Sequence, residues 1–121
     1  MAGTIVADTL QDGACNSTAM DNAIYGSAKA WVNFVGSSGA VSGSYNVSSV
    51  TRTGTGAYTI NMTNALSNAN YATVAITGSY NTFVSLDTSA PTTSARYIIC
   101  RQTSSPTTSQ DPNSVQVAMF S

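Results

Sequence analysis

The sequence predicts an all-β protein, an antiparallel β-sandwich of about seven strands that follows an extended N-terminal arm. The chain has 121 residues, which is the size of one domain. From residue 28 onward, short apolar runs are separated by Gly, Ser, Asn and Thr, a pattern typical of antiparallel strands and turns. The run AYTINMT alternates apolar and polar residues at the period of a strand.

Residues 1–27 form the predicted arm. They contain three of the five aspartates and only isolated apolar residues, with no amphipathic helical pattern. The segment TIVADTL, residues 4–10, is expected to add as a strand to the sheet edge of a neighbouring molecule.

Residues 28–121 form the predicted sandwich domain. Within it, Tyr58, Ile60 and Met62 are expected to share one strand face, as are Tyr45 and Val47. The run SARYIICRQ carries apolar residues on both faces, as a central strand does, and the polar, proline-containing run SSPTTSQDPN is a loop. The predicted strands are residues 28–35, 40–52, 57–63, 71–80, 82–88, 94–102 and 115–120.

The charged fraction of the chain is only 7%, with a net charge of −1. Its four cations are dispersed, so they cannot form the basic stripe that nucleic-acid binding needs. No apolar run reaches the ~18 residues of a membrane span. Since charge repulsion between copies of such a surface is weak, we expect a chain that packs into an assembly.

Residue types that perform catalysis are scarce. The sequence has no histidine and no glutamate, which removes the common general bases and most metal-ligand sets. Asp87 and Asp111 stand at loop edges, where capping of turns is the ordinary role of aspartate. Cys15 and Cys100 have neither metal-ligand nor redox-motif spacing, and Cys100 is expected to be buried, although an intermolecular disulfide stays open. We therefore expect no enzyme activity, no metal and no cofactor.

Large apolar side chains are the remaining candidates for function. Tyr45, Tyr58 and Tyr71 lie on predicted strand faces and are assigned to the core or to an interface, whereas Tyr80 lies in a tight turn and is expected to be exposed. The predicted interface residues are Ile5, Val6, Leu10, Trp31 and Tyr80.

Four short motifs occur in order over about 45 residues: KAWVNF from Lys29, YNVSSV from Tyr45, GTGAYT from Gly54 and NYA from Asn70. Together they resemble a module of tail-fibre and other virion proteins of tailed bacteriophages, and the terminal VQVAMFS is similar to the last strand of such modules. The approach to the module is similar to that in cyanobacterial and marine phage proteins. The resemblance implies a non-enzymatic, usually trimeric β module on the outer surface of the virion.

Three functions follow as hypotheses. The arm is short and lacks shaft repeats or coiled-coil heptads, which favours a capsid decoration (cement) protein that binds the major capsid protein or another virion protein. The alternative is a tail-fibre or receptor-binding head that contacts the host surface. The third is a carbohydrate-binding adhesion module whose partner is a host surface glycan.

Overall fold

The computed structural model describes residues 3–121, and the first two residues of the predicted arm lie outside the described residues. The described chain is all-β apart from one short helix, which confirms the predicted fold class. Its elements are β1 (Thr9–Gln11), β2 (Ser17–Ala19), α1 (Met20–Gly26), β3 (Ala30–Phe34), β4 (Val41–Tyr45), β5 (Val47–Gly54), β6 (Ala57–Met62), β7 (Ala72–Thr77), β8 (Thr82–Leu86), β9 (Ala95–Gln102) and β10 (Val115–Phe120).

Eight of these strands form two antiparallel four-stranded sheets. Sheet I has the order β4-β3-β10-β7, and sheet II has the order β5-β6-β9-β8. The strand β9 lies inside sheet II between two neighbours, as its apolar residues on both faces predict. The sandwich therefore has one strand more than the seven runs read from the sequence.

The core lies between the two sheets. Alternate side chains of β3 and β10 face those of β6 and β9, because successive residues of a strand point to opposite faces. Tyr58, Ile60 and Met62 are buried together, as predicted, and the Tyr58 ring meets Phe34 edge to face with 5.0 Å between ring centroids. Cys100 is also buried, as predicted, whereas Cys15 is exposed.

The additional strand arises at Asn46, which divides the predicted run 40–52 into β4 and β5. Asn46 has a φ of 54°, a left-handed conformation that asparagine tolerates better than most residues. Its side-chain amide donates to the carbonyls of Lys29 and Asn64 and accepts from the Asn64 amide. The chain thus leaves sheet I and enters sheet II at this corner. The expectation that Tyr45 and Val47 share a face is wrong, since they belong to different sheets.

The arm is more ordered than the sequence suggests. Strands β1 and β2 pair with each other as a hairpin, and α1 follows directly, so the arm is not extended over its whole length as the sequence predicts. The helix spans 7 residues and buries none of them, and it is too short to show a clear helical periodicity of apolar residues. The end of the TIVADTL segment already pairs within its own chain, and residues 3–8 before it have no regular structure.

Candidate interaction surface

The outer face of sheet II is polar where β5 pairs with β6. Thr51 and Thr59 are cross-strand partners there, as are Ser49 and Asn61. The Asn61 amide donates to the hydroxyls of Ser49 at 3.0 Å and of Thr51 at 3.1 Å. These side chains form hydrogen bonds with one another, so no partner is needed to satisfy them.

The outer face of sheet I is apolar. Four large side chains stand on it with substantial exposure: Trp31 at 42%, Tyr45 at 59%, Val74 at 64% and Ile76 at 63%. The cross-strand register joins Tyr45 to Trp31, Trp31 to Ala118 and Ala118 to Val74, so one continuous row crosses all four strands. We call this row of four residues, together with Ile76, the Trp31 face. An exposed apolar row of this length is a candidate interaction site.

A groove runs along the middle of the Trp31 face. The small side chain of Ala118 lies between Trp31 on one side and Val74 on the other, and the resulting groove has a volume of about 390 Å³. Gly43 lies beneath the Trp31 ring, since a Cβ built on Gly43 would be 3.5 Å from the ring. None of the residues that line the groove is charged.

The orientation of β7 is unusual for a sandwich edge strand. Its bulky residues Val74 and Ile76 point outward, while Thr73, Ala75 and Thr77 point inward. The Thr73 hydroxyl is buried and has no hydrogen-bond partner among the described residues. A buried unpaired hydroxyl costs about 1–3 kcal/mol of folding free energy. The orientation that places Val74 and Ile76 outside therefore also destabilises the fold through Thr73.

The predicted interface residues lie in three separate places. Ile5 and Val6 belong to the irregular start of the arm and are almost fully exposed, while Leu10 lies in β1 and is half exposed. Trp31 lies on sheet I, and Tyr80 lies in the turn between β7 and β8 with 96% exposure, as predicted for that turn. Of the five, only Trp31 belongs to the Trp31 face.

Sequence reasoning missed Val74 and Ile76 and left Tyr45 undecided. Of the three tyrosines assigned to the core or to an interface, Tyr58 and Tyr71 lie in the core, whereas Tyr45 is exposed and lies outside it. The available signal was the alternation of Val74 and Ile76 with smaller residues in β7. That alternation shows that the two share a face, but it does not show which face is outside.

Asp111 forms the one ion pair found among residues 3–121. It accepts hydrogen bonds from the Arg52 guanidinium, with 2.6 Å between Nη2 and Oδ2, and from the Gly56 amide and the Tyr58 hydroxyl at 2.8 Å each. We call these four residues the Asp111 cluster. The Arg52 bonds lower the pKa of Asp111 to about 2 despite partial burial. Burial, followed by the bond to Asp111, raises the pKa of Tyr58 well above its usual range.

The Asp111 cluster is structural. It connects the long loop before β10 to the β5–β6 hairpin, and every Asp111 partner is a donor held by the fold. A carboxyl with a pKa of about 2 is ionised near neutral pH and is a poor proton acceptor there. Asp111 therefore does more than the turn capping that the sequence predicts. Asp87 does cap a turn, as predicted, by accepting a hydrogen bond from the Ser89 amide.

Arg96 is the buried cation of the core. Its side chain faces inward from β9 with 6% of the residue exposed, and its guanidinium carbon lies 5.9 Å from the centroid of the Tyr71 ring. The Nε atom is buried without a hydrogen-bond partner in the described chain. The cation–π contact offsets part of the cost of burying this charge.

Neither a metal site nor a membrane-spanning helix emerges from residues 3–121. No group of three or more candidate acidic or cysteine ligands comes together in that range. Asp12 instead accepts from the Ala14 and Asn16 amides within its own turn. No helix there has the length and apolar character needed to cross a membrane.

Comparison of the chain with protein-family models, with curated proteins and with solved structures finds no match. Conclusions about function therefore depend on the surfaces and contacts described above.

Proposed function

We propose that the chain is a non-enzymatic structural protein on the outer surface of a phage particle. Its specific role is to decorate the capsid shell and stabilise it, as a homotrimer bound to the major capsid protein or another virion protein. The observation that carries the proposal is the uncharged apolar row of the Trp31 face, which leaves a sandwich of this size with surface suited to assembly.

The residues behind the phage resemblance have identifiable structural roles. Asn46 builds the corner between the sheets, Gly56 forms the β5–β6 turn, and Tyr58 and Tyr71 are buried. The resemblance therefore supports a shared sandwich scaffold. The choice of the shell as the location rests on the charge-poor surface.

A cementing role requires no chemistry. Many modest contacts repeated over a symmetric shell add through multivalency, so a rigid domain with apolar and hydroxyl-bearing surface suffices. The arm supplies a second contact, because Ile5 and Val6 are exposed apolar residues in a segment without regular structure. We propose the arm as the element that attaches to the shell, where it can pair as a strand with a neighbouring sheet.

Particles that lack the protein provide the test. They should assemble but lose their genome at lower temperature and lower external salt than complete particles, and electron cryomicroscopy should place the protein density on the shell. Equal heat and osmotic resistance with a loss of host adsorption would instead support the tail-fibre or receptor-binding role. Saturable binding to a glycan array would support the carbohydrate-binding adhesion role.

Substitutions in the arm test attachment separately. Replacing both Ile5 and Val6 with threonine should reduce shell occupancy while leaving the sandwich folded, because neither side chain is buried. The matched control is Leu86→Thr, an exposed apolar residue at the end of β8. Full occupancy of the arm variant would remove the arm from the proposal.

A further inference from the structure

We infer that a second copy of this chain packs on the Trp31 face, so that this face holds the oligomer together. The inference deepens the proposed function, since it rests on the proposed assembly into a homotrimer. It is carried by the outward orientation of β7, by the absence of charge on the face, and by the area and shape of the apolar row.

The orientation of β7 favours a covered face. Exposing Val74 and Ile76 to water forgoes the transfer free energy of two large aliphatic side chains. The same strand buries the Thr73 hydroxyl, which has no hydrogen-bond partner among the described residues, and this adds to the cost of the orientation. A partner over the outer face recovers the aliphatic part of this cost.

The charge distribution favours a second copy as that partner. The Trp31 face and its flanking residues form two adjacent cross-strand rows: Tyr45, Trp31, Ala118 and Val74 in one, and Ile76 with the flanking Gly43, Asn33 and Gln116 in the other. Neither row contains a charged residue, so two copies can meet without burying any unpaired charge. A strongly charged partner would find no complementary group on either row.

The area fits a protein interface. The four large side chains together expose on the order of 400 Å² per copy. With the flanking Asn33 and Gln116, a ring of three copies would bury roughly 1,500 Å² in total over its three contacts, so each contact is at the small end of protein interfaces. This area is consistent with an oligomer that forms at high local concentration.

The shape of the face allows one copy to fit the next. Trp31 and Tyr45 form an aromatic ridge at one side, and the groove above Ala118 lies beside it. The ridge of one copy can enter the groove of its neighbour and contact Val74. Such a head-to-tail contact closes into a ring when the rotation between copies is 120°.

The test uses the complete protein and the double variant Val74→Thr/Ile76→Thr. Both changes keep a β-branched side chain and fall on exposed positions, so the fold should persist, as circular dichroism and thermal melting will show. The control is Leu86→Thr, which lies on sheet II. Sedimentation should show a trimer for the wild type and the control, and at least about tenfold weaker association for the double variant.

Trp31 supplies a second readout because it is the single tryptophan of the chain. Its emission should shift to shorter wavelength, and its quenching by acrylamide should fall, as the wild-type protein is concentrated. The double variant should lack this dependence over the same range. Both the emission wavelength and the quenching report whether the Trp31 side chain is covered by a second copy.

Four other outcomes are distinguishable, and the first three of them overturn the inference. A wild-type monomer at every concentration excludes the second copy as occupant. A trimer that survives the double variant, but not the Ile5→Thr/Val6→Thr change, places the contact on the arm. Protection of Trp31 only on particles assigns the face to another virion protein. A trimer that requires the Trp31 face but never binds particles supports the inference and refutes the proposed function.

Discussion

Replacing Asp111 with Asn removes one negative charge and leaves the side chain nearly the same shape. In the fold, Asp111 accepts from Arg52, Gly56 and Tyr58, and its pKa falls from 3.8 to about 2. A pKa difference of that size corresponds to about 2 kcal/mol in favour of the fold with the ionised carboxyl. The asparagine can still accept from Gly56, but its amide cannot form the ion pair with Arg52. We expect the variant to lose about 2 kcal/mol of unfolding free energy.

For a domain of this length, that loss lowers Tm by about 8 °C near neutral pH. The folded-state pKa lies below the unfolded-state pKa, so the stabilisation is complete above the unfolded value. It declines as the pH falls from about 5 toward 2. The difference in Tm between wild type and variant should therefore shrink over that window, as scanning calorimetry at several pH values will measure.

The matched control is Asp21→Asn, which removes the same charge from a residue that forms no ion pair within residues 3–121. The control should melt within about 2 °C of the wild type. Equal losses in the two variants, or a pH-independent difference for Asp111→Asn, would refute the assignment of this stability to the Asp111 cluster.

Three further predictions concern the core and the β5–β6 turn. Gly56→Ala should lower the unfolding free energy by at least about 2 kcal/mol, because Gly56 has a φ of 67° and an added Cβ would lie 2.4 Å from the Cys100 carbonyl oxygen. The control is Gly54→Ala, whose new Cβ has no atom within 4 Å. In the same urea titration its unfolding free energy should stay within about 0.5 kcal/mol of the wild type. Arg96→Met should leave the unfolding free energy unchanged or raise it by about 1 kcal/mol, because the buried cation has no ion-pair partner in the described chain. A loss of more than about 2 kcal/mol would contradict this and reveal an acceptor for the guanidinium. Under native conditions a thiol reagent should modify Cys15 and spare Cys100, because burial shields Cys100 and raises its pKa to about 12. Both cysteines should react in denaturant. If both react equally fast in the native protein, the buried position of Cys100 is wrong.

Strand positions were predictable because alternation and turn residues are local signals. The run 57–63 contains β6, the run 94–102 contains β9, and the run 115–120 coincides with β10. The β4–β5 corner was not predictable in the same way. The residues next to Asn46 in the sequence do not show whether its backbone is extended, as in a continuous strand, or left-handed. The left-handed conformation is stabilised by hydrogen bonds to the carbonyls of Lys29 and Asn64, which are distant in the sequence.

The sequence by itself determined the all-β class, the order of the strands along the chain, and a polar surface with few charges. These properties depend on composition and on periodicity over a few residues. Only the tertiary structure decided the Asp111 cluster, whose Arg52 and Asp111 are 59 positions apart. It also decided the Trp31 face, whose row takes one residue from each of four strands. A period of two shows which residues share a face, but which face is buried depends on how distant strands pair.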